Sequence, residues 1–279
     1  MAVLLALCAT ACYGVSNFLG PLISRDAPTY VVLMAGQVVA LVASAAVLVF
    51  TAAGLPGAGT ATAGVVTGLG NAVGLIGFYR AASLGPLSIV APIGATAAIV
   101  PVTLGLIEGE PASALRLAGI ALAIAGVALA ARRPPAEVDE PGHRRGAVLW
   151  AVIGAGGFGV FLASIDRASA DGVFWALGLS RVSLLLVLGV VALLIGETLR
   201  APARDLPKLA APGVLLFTGT LTYAAATQEG DLSVVAVLGS LFPLVTVGLA
   251  FAFLGERLSR IQSAGVVGAL VGVVLLSAQ

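Results

Sequence analysis

The sequence predicts an all-α membrane protein, ten transmembrane helices built from two inverted five-helix repeats. Three observations predict it. Hydrophobic residues make up 59% of the chain and charged residues 10%, with a mean hydropathy of +1.11. Fourteen Lys and Arg with thirteen Asp and Glu cannot furnish the polar shell that a soluble core of this size needs. Apolar runs long enough to cross about 30 Å of hydrocarbon recur along the whole chain. The chain also matches itself at an offset of 145 residues.

The ten spans are read at 2–24, 29–53, 61–82, 86–107, 113–131, 147–166, 173–196, 209–228, 232–254 and 260–278. A secretory signal peptide is the other use of Met1–Ser24, but it lacks a basic n-region, and the segment has a counterpart later in the chain. Cys8 and Cys12 lie one turn apart inside this first run and read as small hydrophobes. The fourth and ninth spans carry Pro92, Pro101 and Pro243, each removing a backbone donor and marking a candidate hinge or kink. The fifth and tenth are rich in Ala and Gly. Ala264, Gly268 and Gly272 recur every fourth residue, which permits close helix approach either between halves or across a homodimer. Trp175 opens the seventh span as an interfacial anchor.

The clearly polar break, Arg132 to Gly146, carries prolines and charges that stop a lipid-embedded helix. It divides the chain into 1–131, a linker 132–146, and 147–279. His143 lies in the linker with no second ligand near it in sequence, so no metal is expected. Across the break Tyr13-Gly14 matches Phe158-Gly159, Gly85 to Ala91 matches Gly230 to Ala236, and Gly94 matches Gly239. At an offset of 146, Gly109-Glu110 matches Gly255-Glu256 and Ala118-Gly119 matches Ala264-Gly265. Five spans is an odd number, so two copies enter the membrane from opposite sides, the inverted-repeat plan of secondary transporters.

These motifs resemble the drug/metabolite transporter superfamily, specifically proteins with two EamA-type domains, over essentially the whole chain. Tyr13-Gly14-Val15-Ser16-Asn17-Phe18 is similar to the family's aromatic-Gly signature, with Arg25 at its end. Leu254 to Leu258 with Gln262 and Gly265 is similar to the Gly-Glu turn before the last helix, and Glu108-Gly109-Glu110 with Gly119 is a looser copy. The resemblance implies a ten-helix bundle in the cell membrane that moves small metabolites, amino acids or drugs, often outward, with its termini in the cytoplasm. Tyr13 and Phe158 stand where the family commonly has Trp. The first-helix Glu of the related small multidrug resistance proteins has no equivalent here, which lowers the weight of proton-coupled export of cationic drugs.

Polar groups in a lipid-embedded bundle face its interior, so they mark the candidate substrate path. Arg181 is the ionisable residue deepest in a span, nine residues from Gly172 and so roughly 14 Å in. Two readings fit it: an anchor for a substrate carboxylate or phosphate, or a structural arginine bonded to backbone carbonyls or to Asp166. Tyr13, Ser16 and Asn17 share a helical face with Gly20. Asn71 and Phe78 share another, as do Thr220, Tyr223 and Thr227. With Phe158 these residues form the expected substrate-binding set, though polar stripes also hold bundles together.

Other functions find little in the sequence. A net charge of +1 gives no field for nucleic acid. A P-loop, a His-Glu-x-x-His helix and a Gly-x-Ser-x-Gly elbow are absent, so no cofactor and no enzymatic site is expected. The alternatives kept open are an intramembrane enzyme and a non-transporting structural or regulatory protein. The basic loops fall mainly opposite the termini, with Arg116 and Arg167 on the termini side. By the positive-inside rule this places the termini outside, the reverse of what the resemblance implies.

Overall fold

The computed structural model describes residues 1–23, 29–51, 54–84, 93–94, 96–130, 141–196, 205–254 and 259–277. They form α1 (Ala2–Ile23), α2 (Thr29–Thr51), α3 (Ala58–Leu84), a 3-10 turn (Thr96–Ala98) entering α4 (Ile99–Ile107), and α5 (Ala114–Ala130). After these come α6 (Pro141–Ala168), α7 (Val173–Ile195), α8 (Leu206–Thr227), α9 (Leu232–Gly239), α10 (Phe242–Leu254) and α11 (Arg260–Ser277). Among the described residues there is no strand. Pro92, Arg25, the Gly85–Ala91 motif, most of the linker and the Gly255–Leu258 motif lie outside the described residues.

Among the described residues six helices, α1, α2, α3, α6, α7 and α8, are long and apolar enough to cross a bilayer. They coincide with the first, second, third, sixth, seventh and eighth spans, and make this an integral multi-pass membrane protein. The surface agrees, because large side chains such as Phe50 and Leu194 are 88% and 80% exposed while the largest fully buried side chain among the described residues is Arg181. The interior is still mostly apolar, but an exterior of large apolar side chains around a buried arginine is what lipid as the outer solvent gives.

Two sequence boundaries shift. The helix of the sixth span, read from 147, already starts at Pro141, where proline's missing N–H falls among donors that have no helical partner anyway. The ninth span is two helices rather than one, with a turn at Ser240–Leu241. The sequence has a proline at 243 just past the break, and a proline inside a helix removes the N–H that would bond the carbonyl four residues back and crowds that carbonyl. Pro243 stands second in α10, as Pro101 stands third in α4. Both prolines therefore begin helices after an interruption, where neither loses a bond.

The halves are joined by glycine seams. A Cβ on Gly157 of α6 would lie 2.4 Å from the Gly74 nitrogen of α3, and one on Gly77 would lie 2.6 Å from the Gly154 backbone, so these backbones touch directly. The small-residue stripe of α11 serves a contact between halves. A Cβ on Gly272 would meet the Ala123 nitrogen at 2.6 Å, and one on Gly126 the Ala269 nitrogen at 2.3 Å, so α5 and α11 run antiparallel. Gly268 lies over Gly126 in the same seam, and Ala264 is exposed.

Candidate functional site

A buried polar cluster lies where α1, α2, α7 and α8 meet. Arg181, on α7, is 1% exposed. Its Nη1 donates to Gln37 Oε1 at 2.8 Å and its Nη2 to Thr220 Oγ1 at 2.6 Å. The Thr220 hydroxyl donates to the Leu216 carbonyl at 2.8 Å and accepts from Tyr13 at 3.3 Å. Its one proton and two lone pairs are thus all used, which fixes the direction of each bond. The Arg181 Nε is buried without a partner.

Both partners of the guanidinium are neutral, and no ion pair to it is found among the described residues. Asp166, the carboxylate offered by the sequence as its partner, instead sits at the end of α6 and accepts from the Gln228 side chain at 3.0 Å. Placing an arginine at mid-depth costs about 3 kcal/mol on insertion scales. Two charge-assisted bonds at about 1.5–3 kcal/mol each offset that, so the helix holds the charge without needing an anion for its fold.

Of the expected substrate set, the structure brings Tyr13, Thr220 and Arg181 into contact. Tyr223 is fully buried one turn on; its hydroxyl donates to the Leu162 carbonyl at 3.1 Å and its ring lies over Gly239. Ser16 donates to the Pro212 carbonyl at 3.1 Å, bracing α1 against α8. Asn17 is exposed beside this face and Asn71 is buried on α3. Phe78 and Phe158 form a separate aromatic pair, 6.5 Å between ring centroids. Gln37 was not singled out by sequence reading. The depth argument that flags Arg181 would have found it, since Gln37 lies eight residues inside the largely apolar α2.

A second polar assembly closes one end of the bundle and joins the halves. Arg116 pairs with Glu110 and with Asp231, both at 2.6 Å, and its Nη2 donates to Ser233 Oγ at 2.7 Å. Asp231 is the residue before α9 but makes no cap bond with its side chain, because its carboxylate is turned to Arg116. Glu110 supplies the missing anion, accepting from the Ser233 N–H at 3.3 Å and from the Ser233 hydroxyl, at the positive end of the helix. Gly109 makes the preceding turn at φ 97°, a left-handed conformation that L side chains rarely adopt. Arg167 pairs with Glu108 at the same end. Sequence reading assigned Arg116 and Arg167 to loops as orientation charges and missed their partners, because the pairing is long-range.

The same end carries the loop between α2 and α3. Asp171 accepts from the Gly57 N–H at 2.7 Å, and Trp175 Nε1 donates to the Gly54 carbonyl at 2.6 Å. Hydrogen bonds from Thr60 and from the Gly57 backbone hold the exposed Asp171 carboxyl below its usual range. A lowered folded-state pKa means the contact contributes fully above the ordinary aspartate range and is lost as pH falls through the lowered value. With Trp150 replaced by Phe, Trp175 emission should change only in strong acid, and Asp171→Asn should show the released emission at neutral pH. Identical emission in Asp171→Asn and its parent would contradict this.

Among the described residues no group of three His, Cys, Asp or Glu is placed to hold a metal ion. On the outer face a shallow apolar groove of about 260 Å³ runs between α3, α4 and α6, past Val66, Val100, Leu104 and Val160 to Arg167, away from Arg181.

Comparison with known proteins bears on the second half most directly. Residues 145–278 match the EamA-like transporter family. This half of the chain is an EamA-like transporter domain. The EamA-like family is one of drug and metabolite transporters, so the domain supports a membrane transport role. The EamA-like domain contributes Arg181 and Thr220 to the cluster, while Tyr13 and Gln37 come from the first half. An uncharacterized protein of Methanocaldococcus jannaschii is 39% identical over 64 residues, 23% of this chain and 47% of that protein, so the chain spans under half the length of this relative. A crystal structure of a protein aligns over 99% of this chain and 96% of its own with a TM-score of 0.81 at 15% identity, a likeness of fold alone.

Proposed function

We propose that the protein is a secondary transporter that moves a small metabolite, an amino acid or other small organic solute or drug, across the cell membrane by alternating access, as an exporter or exchanger. In this reading residues 1–131 are a second EamA-type copy, inverted relative to 147–279, and ten spans surround the Arg181 cluster. Tyr13, Ser16, Asn17, Asn71, Phe78, Phe158, Arg181, Thr220 and Tyr223 are its substrate-facing candidates.

The observation that carries this reading is that contacts map onto one another under the sequence offset. The Tyr13 ring lies against Gly219 and the Phe158 ring against Gly74, two pairs related by 145 in both members. The α5–α11 seam maps onto itself: Gly126 against Ala269 and Gly265 becomes, at 146, Gly272 against Ala123 and Gly119. Self-matching between antiparallel equivalents is what a two-fold axis in the membrane plane gives, and such an axis places a site between the repeats. The charged assembly at one end then acts as a closed gate that must part for the site to face that side.

Alternating access is tested at this gate. Cys8 and Cys12 are replaced by Ser, and Glu108→Cys with Arg167→Cys are joined by a short bis-methanethiosulfonate reagent, because an ion pair of long side chains exceeds disulfide reach. Flux should stop on cross-linking and return on reduction. Undiminished flux through the cross-linked protein would contradict opening at this end.

A further inference from the structure

We infer that the transported solute is a monoanion whose carboxylate is taken by Arg181, an inference that rests on the transporter reading and names the substrate class of its site. Three features of the cluster carry it. The guanidinium is enclosed, yet its Nε has no partner, and every group bonded to it is neutral. Nε and Nη2 share the edge by which arginine receives a carboxylate in two parallel bonds. Thr220 fills the Nη2 half of that edge and the Nε half is empty of acceptors.

The surroundings select for negative charge. Tyr13 points its hydroxyl at the Thr220 oxygen, and Gln37, with its oxygen committed to Arg181, turns its amide nitrogen the other way. A solute carboxylate that displaces Thr220 Oγ1 would gain the Nε and Nη2 donors and leave the Tyr13 hydroxyl free to donate to it. The carboxylates of this region, Asp166, Glu108, Glu110 and Asp231, are engaged at the end of the bundle with Gln228, Arg167 and Arg116. The cluster holds no second cation among its members, so one unit of positive charge matches one carboxylate better than a phosphate dianion. A cationic solute would meet the guanidinium in a low-dielectric site with nothing to offset the repulsion.

The test uses matched pairs differing only in charge: lactate with lactamide and N-acetylglycine with N-acetylglycinamide, with methyl phosphate as a separate arm. Each is assayed by counterflow in proteoliposomes and by ligand-induced shift of thermal unfolding. The acids should exchange and stabilise, and the amides should do neither. Arg181→Gln should weaken the apparent affinity for the acids roughly ten- to a hundredfold while its unfolding profile without ligand stays close to that of the parent, and Arg181→Lys should recover part of the loss. Amides carried as well as acids, or Arg181→Gln carrying acids at unchanged affinity, would overturn the assignment while leaving transport intact. Preference for methyl phosphate would overturn the carboxylate in favour of a phosphate. Flux of neutral or cationic solutes alone would also overturn it, whereas no flux of any solute from folded protein would remove the transporter reading and this inference with it.

Discussion

Arg116→Met is expected to lower the unfolding free energy by about 3–5 kcal/mol, the range for removing one partner from a buried ion pair. Most of this loss comes from Glu110. Its side chain is 13% exposed, and the substitution leaves its charge with only Ser233 to solvate it. Asp231 is 48% exposed and can turn to water, so Asp231→Asn should change stability by less than about 1 kcal/mol. Adding Glu110→Gln to Arg116→Met should recover much of the loss, since the uncompensated charge is then gone. Denaturant unfolding in detergent measures all four proteins. Wild-type stability in Arg116→Met would mean the pairs are surface pairs in effect and join the halves only in appearance.

The second large effect is expected at adjacent glycines. Gly157→Leu should prevent the α3–α6 seam from closing, because even its Cβ would lie 2.4 Å from the Gly74 nitrogen and 2.7 Å from the Gly70 carbonyl oxygen. Backbone cannot yield as a side-chain tip can, so a loss of about 3 kcal/mol or more is expected. Gly156→Leu is the control: nothing lies within 4 Å of its Cβ, it is exposed, and an added leucine there faces lipid. Expression and monodispersity of the two variants should diverge sharply. Equal tolerance at both positions would contradict the seam.

Much of this architecture was legible because lipid simplifies the code. A run of about twenty apolar residues can only be a helix there, which is why α1, α2, α3, α6, α7 and α8 fall where the spans were read. The boundaries at Pro141 and Ser240 were not legible from apolarity. Both are set by proline geometry acting inside runs whose hydropathy does not change. Arg181 was identified by depth, but its partners were not, since choosing Gln37 and Thr220 over Asp166 requires the rotation of three helices relative to one another. The same limit hid the Arg116 assembly, whose members come from positions 110 to 233. The stripe Ala264, Gly268 and Gly272 had announced close packing without naming the partner, and α5 answers for Gly268 and Gly272.

Transport itself is measured by counterflow in proteoliposomes. Vesicles are preloaded with pooled amino acids, organic acids, nucleosides and cationic drugs, with and without a pH gradient. Saturable exchange of at least one solute class without ATP is expected, lost when the Glu108–Arg167 end is cross-linked. Protein shown to be folded in the same vesicles that exchanges nothing across the panel would contradict transport.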